Sequence, residues 1–118
     1  MYTIRYDKNE NRIYINISGE LSSPESEKYT AEMYRTIEEA SSGFTVLADL
    51  SQSAPSVLEN SGDFEKIREY ASGRGVAGVV TLVSPLAFEK HNSNPFKGAR
   101  NVFVNREAAI KYLNTVCQ

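Results

Sequence analysis

The stretch GRGVAGVVTLV, residues 73–83, decides the order in which helices and strands follow one another in this chain. Its first six residues have the G-x-G-x-x-G spacing with which dinucleotide-binding domains hold a pyrophosphate, a motif that needs a strand before the glycines and a helix after them. Here a β-branched apolar run, residues 76–83, comes after the glycines and is typical of a buried strand. Apolar residues recur before the glycines at helical spacing, namely Phe64, Ile67 and Ala71. The order of elements is thus the reverse of the one that binds phosphate, and a phosphate here would face the negative end of the helix dipole. The glycines instead predict the end of a helix, at Gly73 or Gly75.

Two segments near the N-terminus alternate apolar and polar residues with the period of a strand. They are YTIRYD, residues 2–7, and RIYINISG, residues 12–19, and the residues between them, KNEN, are typical of a turn. We therefore expect an antiparallel hairpin with one apolar face.

The next segment, residues 22–43, has the signals of a helix at both ends. Ser22 or Ser23 can cap its start, and Gly43 suits a left-handed stop. Its apolar residues recur at helical spacing and predict a buried stripe: Tyr29, Met33, Ile37 and Ala40.

FTVLADLS, residues 44–51, has apolar residues on both faces, as expected for a strand near the middle of a covered sheet. A second helix follows and runs to about residue 72, with two alternative starts. Ser56 with Glu59 forms a capping box, whereas Asn60 or Ser61 could cap a shorter helix from Gly62.

The remaining residues predict a short helix from about Pro85, an irregular loop, a brief strand NVFV at residues 101–104, and a last helix capped by Asn105. The element order is that of an α/β domain with a mixed sheet of about five strands and about four helices. We expect residues 1–118 to form a single domain.

Composition excludes several classes of protein. The chain has 118 residues, 41% of them hydrophobic and 24% charged, with a formal net charge of −2. This charge gives no attraction to nucleic acid or to an anionic membrane, and no apolar run is long enough to span a bilayer. One cysteine, Cys117, rules out an internal disulfide. We therefore expect a cytoplasmic protein with no nucleic-acid partner and no membrane span.

Polar residues follow the third and fourth predicted strands, where the carboxyl ends of parallel strands meet at one edge of the sheet and ligands commonly bind. The candidate partner- or ligand-binding residues are Asp49, Ser51, Ser53 and Ser84, with Ser56 and Ser61 within range. Each of these residue types is also common in turns and helix caps, so a purely structural role stays open for every one of them.

No catalytic arrangement can be assembled from the sequence. A Ser-His-Asp triad would have to join the only histidine, His91, to Ser51 or Ser84 with Asp49 behind it, and no G-x-S-x-G turn supports this. One histidine and one terminal cysteine cannot build a zinc site. We therefore predict a protein that is not an enzyme and has no cofactor and no metal.

Three segments resemble the STAS domains, the anti-sigma-factor antagonist fold. They are ISGEL at residues 17–21, FTVLADLS with its serine-bearing turn, and NVFVNREAAIKYL at residues 101–113, which is similar to the closing strand and helix of the SpoIIAA-like (STAS/SEC14) family. In signalling members of this fold, a serine directly before a glycine at the start of the second helix is phosphorylated by a partner kinase. The matching residue here is Ser61, in ENSGDF, although Asp63 follows the glycine where the family has an apolar residue.

The resemblance and the missing catalytic set favour a regulatory or interaction module. We expect it to bind a protein partner through residues 49–62, and we also expect that it can form a homodimer. The alternative is a small-molecule or lipid carrier with an apolar pocket between sheet and helices, as the resemblance to lipid-carrier folds implies. The lining candidates are Tyr29, Met33, Phe88 and Phe96, each of which also suits an ordinary core.

Overall fold

The computed structural model describes residues 1–20, 22–53, 62–84 and 102–116, without the side chains of residues 53, 62–65, 68, 102 and 116. Its elements, in chain order, are β1 (Tyr2–Asp7), β2 (Arg12–Gly19), α1 (Ser23–Glu39), β3 (Thr45–Ser53), α2 (Gly62–Gly73), β4 (Gly78–Leu82), β5 (Val102–Phe103) and α3 (Arg106–Val116).

The five strands form one sheet in the order β1-β2-β3-β4-β5. β1 and β2 pair antiparallel, and each later strand is parallel to the one before it. The predicted α/β class, with an N-terminal hairpin followed by βα units, is confirmed. The second helix starts at Gly62, as the shorter alternative predicted. The helix predicted from Pro85 lies outside the described residues.

Helices cover both faces of the sheet, but unequally. α1 and α2 pack on one face through Tyr29, Met33, Ile37, Ile67 and Ala71, against buried residues of β2 and β3. α3 packs on the other face, where Ala109 and Leu113 contact Leu47, Val80 and Leu82. The buried residues of α1 and α2 were predicted from spacing alone, because burial requires apolar residues on one side of each helix.

The start of α1 is stabilised by a capping box. The Ser22 hydroxyl accepts from the Glu25 backbone N–H, and the Glu25 carboxylate accepts from the Ser22 backbone N–H. The predicted stop at Gly43 is wrong for the helix, because α1 ends at Glu39 with Ala40 as its C-cap. Gly43 does have a positive φ of 86°, but it forms the turn that leads into β3.

Backbone contacts join the amino ends of the parallel strands. The Gly43 N–H donates to the Gly75 carbonyl at 2.8 Å, and the Thr45 N–H donates to the Asn11 carbonyl at 3.0 Å. Gly75 has φ +90°, and a Cβ at this position would lie 2.6 Å from the Ser42 hydroxyl oxygen. The glycine run therefore ends α2 and returns the chain to the sheet, as its flanks predicted.

Arg12, the first residue of β2, is 1% exposed. Its Nε donates to Thr45 Oγ1 at 2.9 Å and its Nη2 donates to Asn114 Oδ1 at 2.9 Å. Its Nη1 lies 3.6 Å from a carboxylate oxygen of Glu10 and has no hydrogen-bond partner among the described residues. A single buried cation thus joins β2, β3 and the last turn of α3.

Candidate functional site

Asp49 and Ser51 lie near the carboxyl end of β3. The Asp49 Oδ1 accepts from the Ser51 backbone N–H at 3.0 Å and from the Ser51 hydroxyl at 2.6 Å. A carboxylate that binds the N–H two residues further along is a common turn-forming contact, and it holds both side chains in one orientation. Asp49 is thereby fixed while part of its carboxylate stays accessible.

A bulge in β3 accompanies this turn. Asn16 of β2 pairs with Asp49, but Ser18 pairs with Gln52, so β3 carries one more residue than β2 over this interval. A bulge bends its strand and changes the direction of the side chains that follow it. Bulges of this kind are frequent next to binding sites.

Arg106, the first residue of α3, reaches the free oxygen of the same carboxylate. Its Nη1 lies 3.4 Å from Asp49 Oδ2, and the two side chains are 51% and 18% exposed. Asn105 caps the helix, since its side-chain oxygen accepts from the Ala108 N–H at 3.2 Å. A cation is unfavourable at the positive end of a helix, so the Asp49 carboxylate offsets this repulsion. We call Asp49, Ser51 and Arg106 the strand-end cluster.

Arg106 was not among the sequence candidates. The signal that could have found it is its position directly after a helix cap that follows the last parallel strand, because that strand ends at the same edge as β3. The contact itself joins residues 57 positions apart and could not be derived from local patterns.

The other candidate serines are placed as follows. Ser84 follows β4 at the same edge, since Leu82 pairs with Asp49, and it is half-buried. Ser53 is the last residue of β3 and pairs in register with Gly19. Ser56 and Ser61 lie outside the described residues, although Ser61 immediately precedes α2 in the chain. His91 and Cys117 also lie outside them.

A small open depression adjoins the strand-end cluster, on the part of the sheet that α3 leaves uncovered. Its volume is about 230 Å³. It is lined by Thr3, Arg5, Tyr14, Ile15, Asn16, Leu47 and Arg106. The Arg5 guanidinium stacks on the Tyr14 ring at 4.5 Å from its centroid. Because typical ligand pockets have about 300–1,000 Å³, this volume suits one side chain of a partner better than a whole ligand.

Two of the four residues predicted to line an apolar pocket, Tyr29 and Met33, lie among the described residues. Tyr29 and Met33 are fully packed in the core, and the Tyr29 ring makes an edge contact with Tyr2 at 5.5 Å between centroids. Burial raises the pKa of the Tyr29 phenol. Phe88 and Phe96 lie outside the described residues.

Within the described part of the chain, no group of three or more His, Cys, Asp or Glu side chains could hold a metal ion. A search of the same residues finds no helix with the length and apolar character that crossing a membrane requires.

An antiparallel first strand, parallel later strands and helices on both faces define a STAS-like fold. A solved structure of the anti-sigma factor antagonist SpoIIAA, in its unphosphorylated form, matches 97% of this chain and 98% of that chain with a TM-score of 0.59. The two sequences are 16% identical, so the match establishes the fold alone. No family model matches the sequence. No curated protein matches it.

Proposed function

We propose that this protein is a regulatory interaction module of the STAS type, which binds a protein partner at the strand-end cluster. The solved structure that shares its fold is named for antagonism of an anti-sigma factor, that is, for action on another protein. A cytoplasmic location is part of the proposal, and the single cysteine, which leaves no internal disulfide to form, supports it.

The observation that carries the proposal is the geometry of the strand-end cluster. Asp49 is held by two hydrogen bonds from Ser51, and its second oxygen contacts a half-exposed arginine at 3.4 Å. The cluster therefore presents a fixed carboxylate beside a guanidinium that has donors to spare. Arginine is enriched among the residues that dominate binding energy, and fixed charges give a partner its orientation.

The depression beside the cluster supports the same proposal. Its solvent-exposed lining is polar or charged, since Thr3, Asn16 and Arg106 are exposed while Leu47 is buried at its floor. Such a depression can form hydrogen bonds and a charge pair with one polar side chain of a partner.

Affinity capture with quantitative mass spectrometry tests the proposal. The full chain serves as bait in an extract of its source cells, next to Arg106→Ala, Asp49→Asn and the control Arg74→Ala. Arg74 is also an exposed arginine, and its side chain donates to the Glu38 carbonyl at 3.3 Å, but it lies at the opposite end of the sheet. We expect one protein to be recovered equally by the wild type and Arg74→Ala, and about tenfold less by the two cluster variants.

Two results would contradict the proposal. Reproducible recovery of no partner would remove the binding function. Equal recovery by all four baits would keep a partner but exclude the strand-end cluster as its site. The thermal unfolding of each variant shows that a loss of capture does not come from a loss of fold.

A further inference from the structure

The outer side of β1 is a free sheet edge. β1 is the first strand in the sheet order, and within the described residues only β2 pairs with it. A free edge presents backbone donors and acceptors to any strand that can approach it.

The register with β2 shows which backbone groups point outward. The Ser18 N–H donates to the Met1 carbonyl at 2.8 Å, which makes Met1 and Ser18 a hydrogen-bonded pair. Hydrogen-bonded and non-bonded pairs alternate along an antiparallel ladder. The register is continuous, so Thr3, Arg5 and Asp7 direct their backbone groups toward β2. The residues between them direct theirs away from the sheet: Tyr2, Ile4 and Tyr6.

This edge lacks the common protection against strand pairing. Natural edge strands are usually blocked by a proline, a bulge or an inward-pointing charge. β1 contains no proline, its register has no shift, and its side chains on the helix face are Tyr2, Ile4 and Tyr6, all half-buried. Its charged residues, Arg5 and Asp7, lie on the opposite face and pair with each other at 3.5 Å.

We propose that the protein forms a two-fold dimer in which β1 pairs antiparallel with β1 of a second copy, centred on Ile4. In this register Ile4 faces Ile4 of the second copy, and Tyr2 faces its Tyr6. All three outward N–H groups and all three outward carbonyls of each strand then meet a partner. The sheets join into one continuous sheet with the apolar side chains on a common face.

The neighbouring registers are less favourable. A register centred on Arg5 would place two guanidinium groups directly opposite each other, which destabilises the pair. A register centred on Thr3 would leave the backbone groups of Tyr6 without a partner. The register centred on Ile4 instead sets Thr3 opposite Arg5 of the second copy. Self-complementarity of the edge therefore favours a second copy over an unrelated strand.

Sedimentation velocity between about 1 μM and 1 mM tests the dimer. We expect a reversible, concentration-dependent dimer of the wild type. Ile4→Pro removes an outward N–H that the sheet itself does not use, and proline is tolerated on edge strands. We expect Ile4→Pro to be monomeric with a wild-type circular dichroism spectrum.

Two charge variants test the register. They also test the dimer itself if Ile4→Pro does not fold. Thr3→Glu places a carboxylate opposite Arg5 of the second copy and should tighten the dimer about fivefold, while Thr3→Lys should weaken it about fivefold. In a Cys117→Ser background, mild oxidation should cross-link Ile4→Cys but not Thr3→Cys, because only position 4 faces itself.

A wild-type protein that stays monomeric up to the highest concentration overturns the dimer. Equal effects of the two charge variants, or a cross-link at position 3 rather than position 4, overturn the register. Thr3 and Arg5 also line the depression beside the strand-end cluster, so the Thr3 variants are not used to judge partner capture. Ile4→Pro changes no residue of that lining, and a monomeric Ile4→Pro that still captures the partner separates the dimer from the proposed function.

Discussion

Thr45→Val removes the hydroxyl that accepts the Arg12 Nε hydrogen and leaves the shape of the buried side chain almost unchanged. Arg12 is 1% exposed and Thr45 is 0% exposed, so water cannot replace the lost acceptor. Leaving a buried donor without a partner costs about 1–3 kcal/mol, and more when the donor is charged. Arg12 keeps its contacts with Asn114 and Glu10. We therefore expect a loss of about 2 kcal/mol in the free energy of unfolding.

Urea denaturation measures this loss, and the double variant Arg12→Met, Thr45→Val gives it a sharper test. Without the guanidinium no buried charge needs an acceptor, and replacing a buried ion by an apolar side chain is often neutral. The double variant should therefore be more stable than Thr45→Val alone. Thr36→Val is the matched control, because Thr36 is only half-buried and its hydroxyl donates to the Glu32 carbonyl of its own helix. We expect a change within about 0.5 kcal/mol there.

The reasoning is refuted if Thr45→Val unfolds at the same urea concentration as the wild type, since the Arg12 contact would then contribute nothing. It is refuted as well if the loss of stability in the double variant equals the sum of the losses measured for Thr45→Val alone and for Arg12→Met alone. Simple additivity would mean that the two side chains do not interact.

Three further predictions concern single positions. Gly75→Ala should destabilise the fold by about 1–3 kcal/mol, because φ is +90° and a serine oxygen occupies the space, whereas Gly73→Ala, which meets nothing within 4 Å, should be almost neutral in the same melt. The Ser22 backbone N–H, and then the N-terminal ammonium, lower the pKa of Glu25, so its capping contribution is complete at neutral pH and lost as the pH falls below about 4. A carboxyl NMR titration checks this, and an ordinary pKa would contradict it. Ser61 should carry a phosphate in protein isolated from its source cells; an intact mass without phosphate, in cells where the partner is captured, would count against it.

The fold could be predicted because its signals are local. The period-two pattern of residues 2–7 and 12–19, the Ser22 cap and the Asn105 cap each involve neighbours within a few positions. Gly43 shows the limit of this approach. A glycine with positive φ was correctly expected, but the sequence could not distinguish a helix stop from the turn that follows it.

The site was less predictable because its contacts are distant in sequence. Asp49 and Ser51 could be located at a strand end, but the approach of Arg106 depends on how α3 leaves the sheet. Arg12 is a second example. Strand alternation places Arg12 on the sheet face opposite Ile13. This face is covered by α3, in which Asn114 accepts a hydrogen bond from Arg12 although it lies 102 positions later in the chain.

The bulge in β3 divides the strand into two parts whose residues are constrained differently. The part before the bulge must keep its core contacts, and the part after it need not keep the same alternation. Before the bulge, Val46 and Ala48 must keep their alternation, because a slip of one residue would turn them out of the core. Beyond the bulge, the extra residue of β3 shifts which side chains point to each face of the sheet. The orientation of Ser51 and Gln52 therefore no longer follows from the alternation of Val46 and Ala48. Mutations at Ser51 and Gln52 can therefore alter the surface at this end of the sheet while the alternation of Val46 and Ala48 stays as it is.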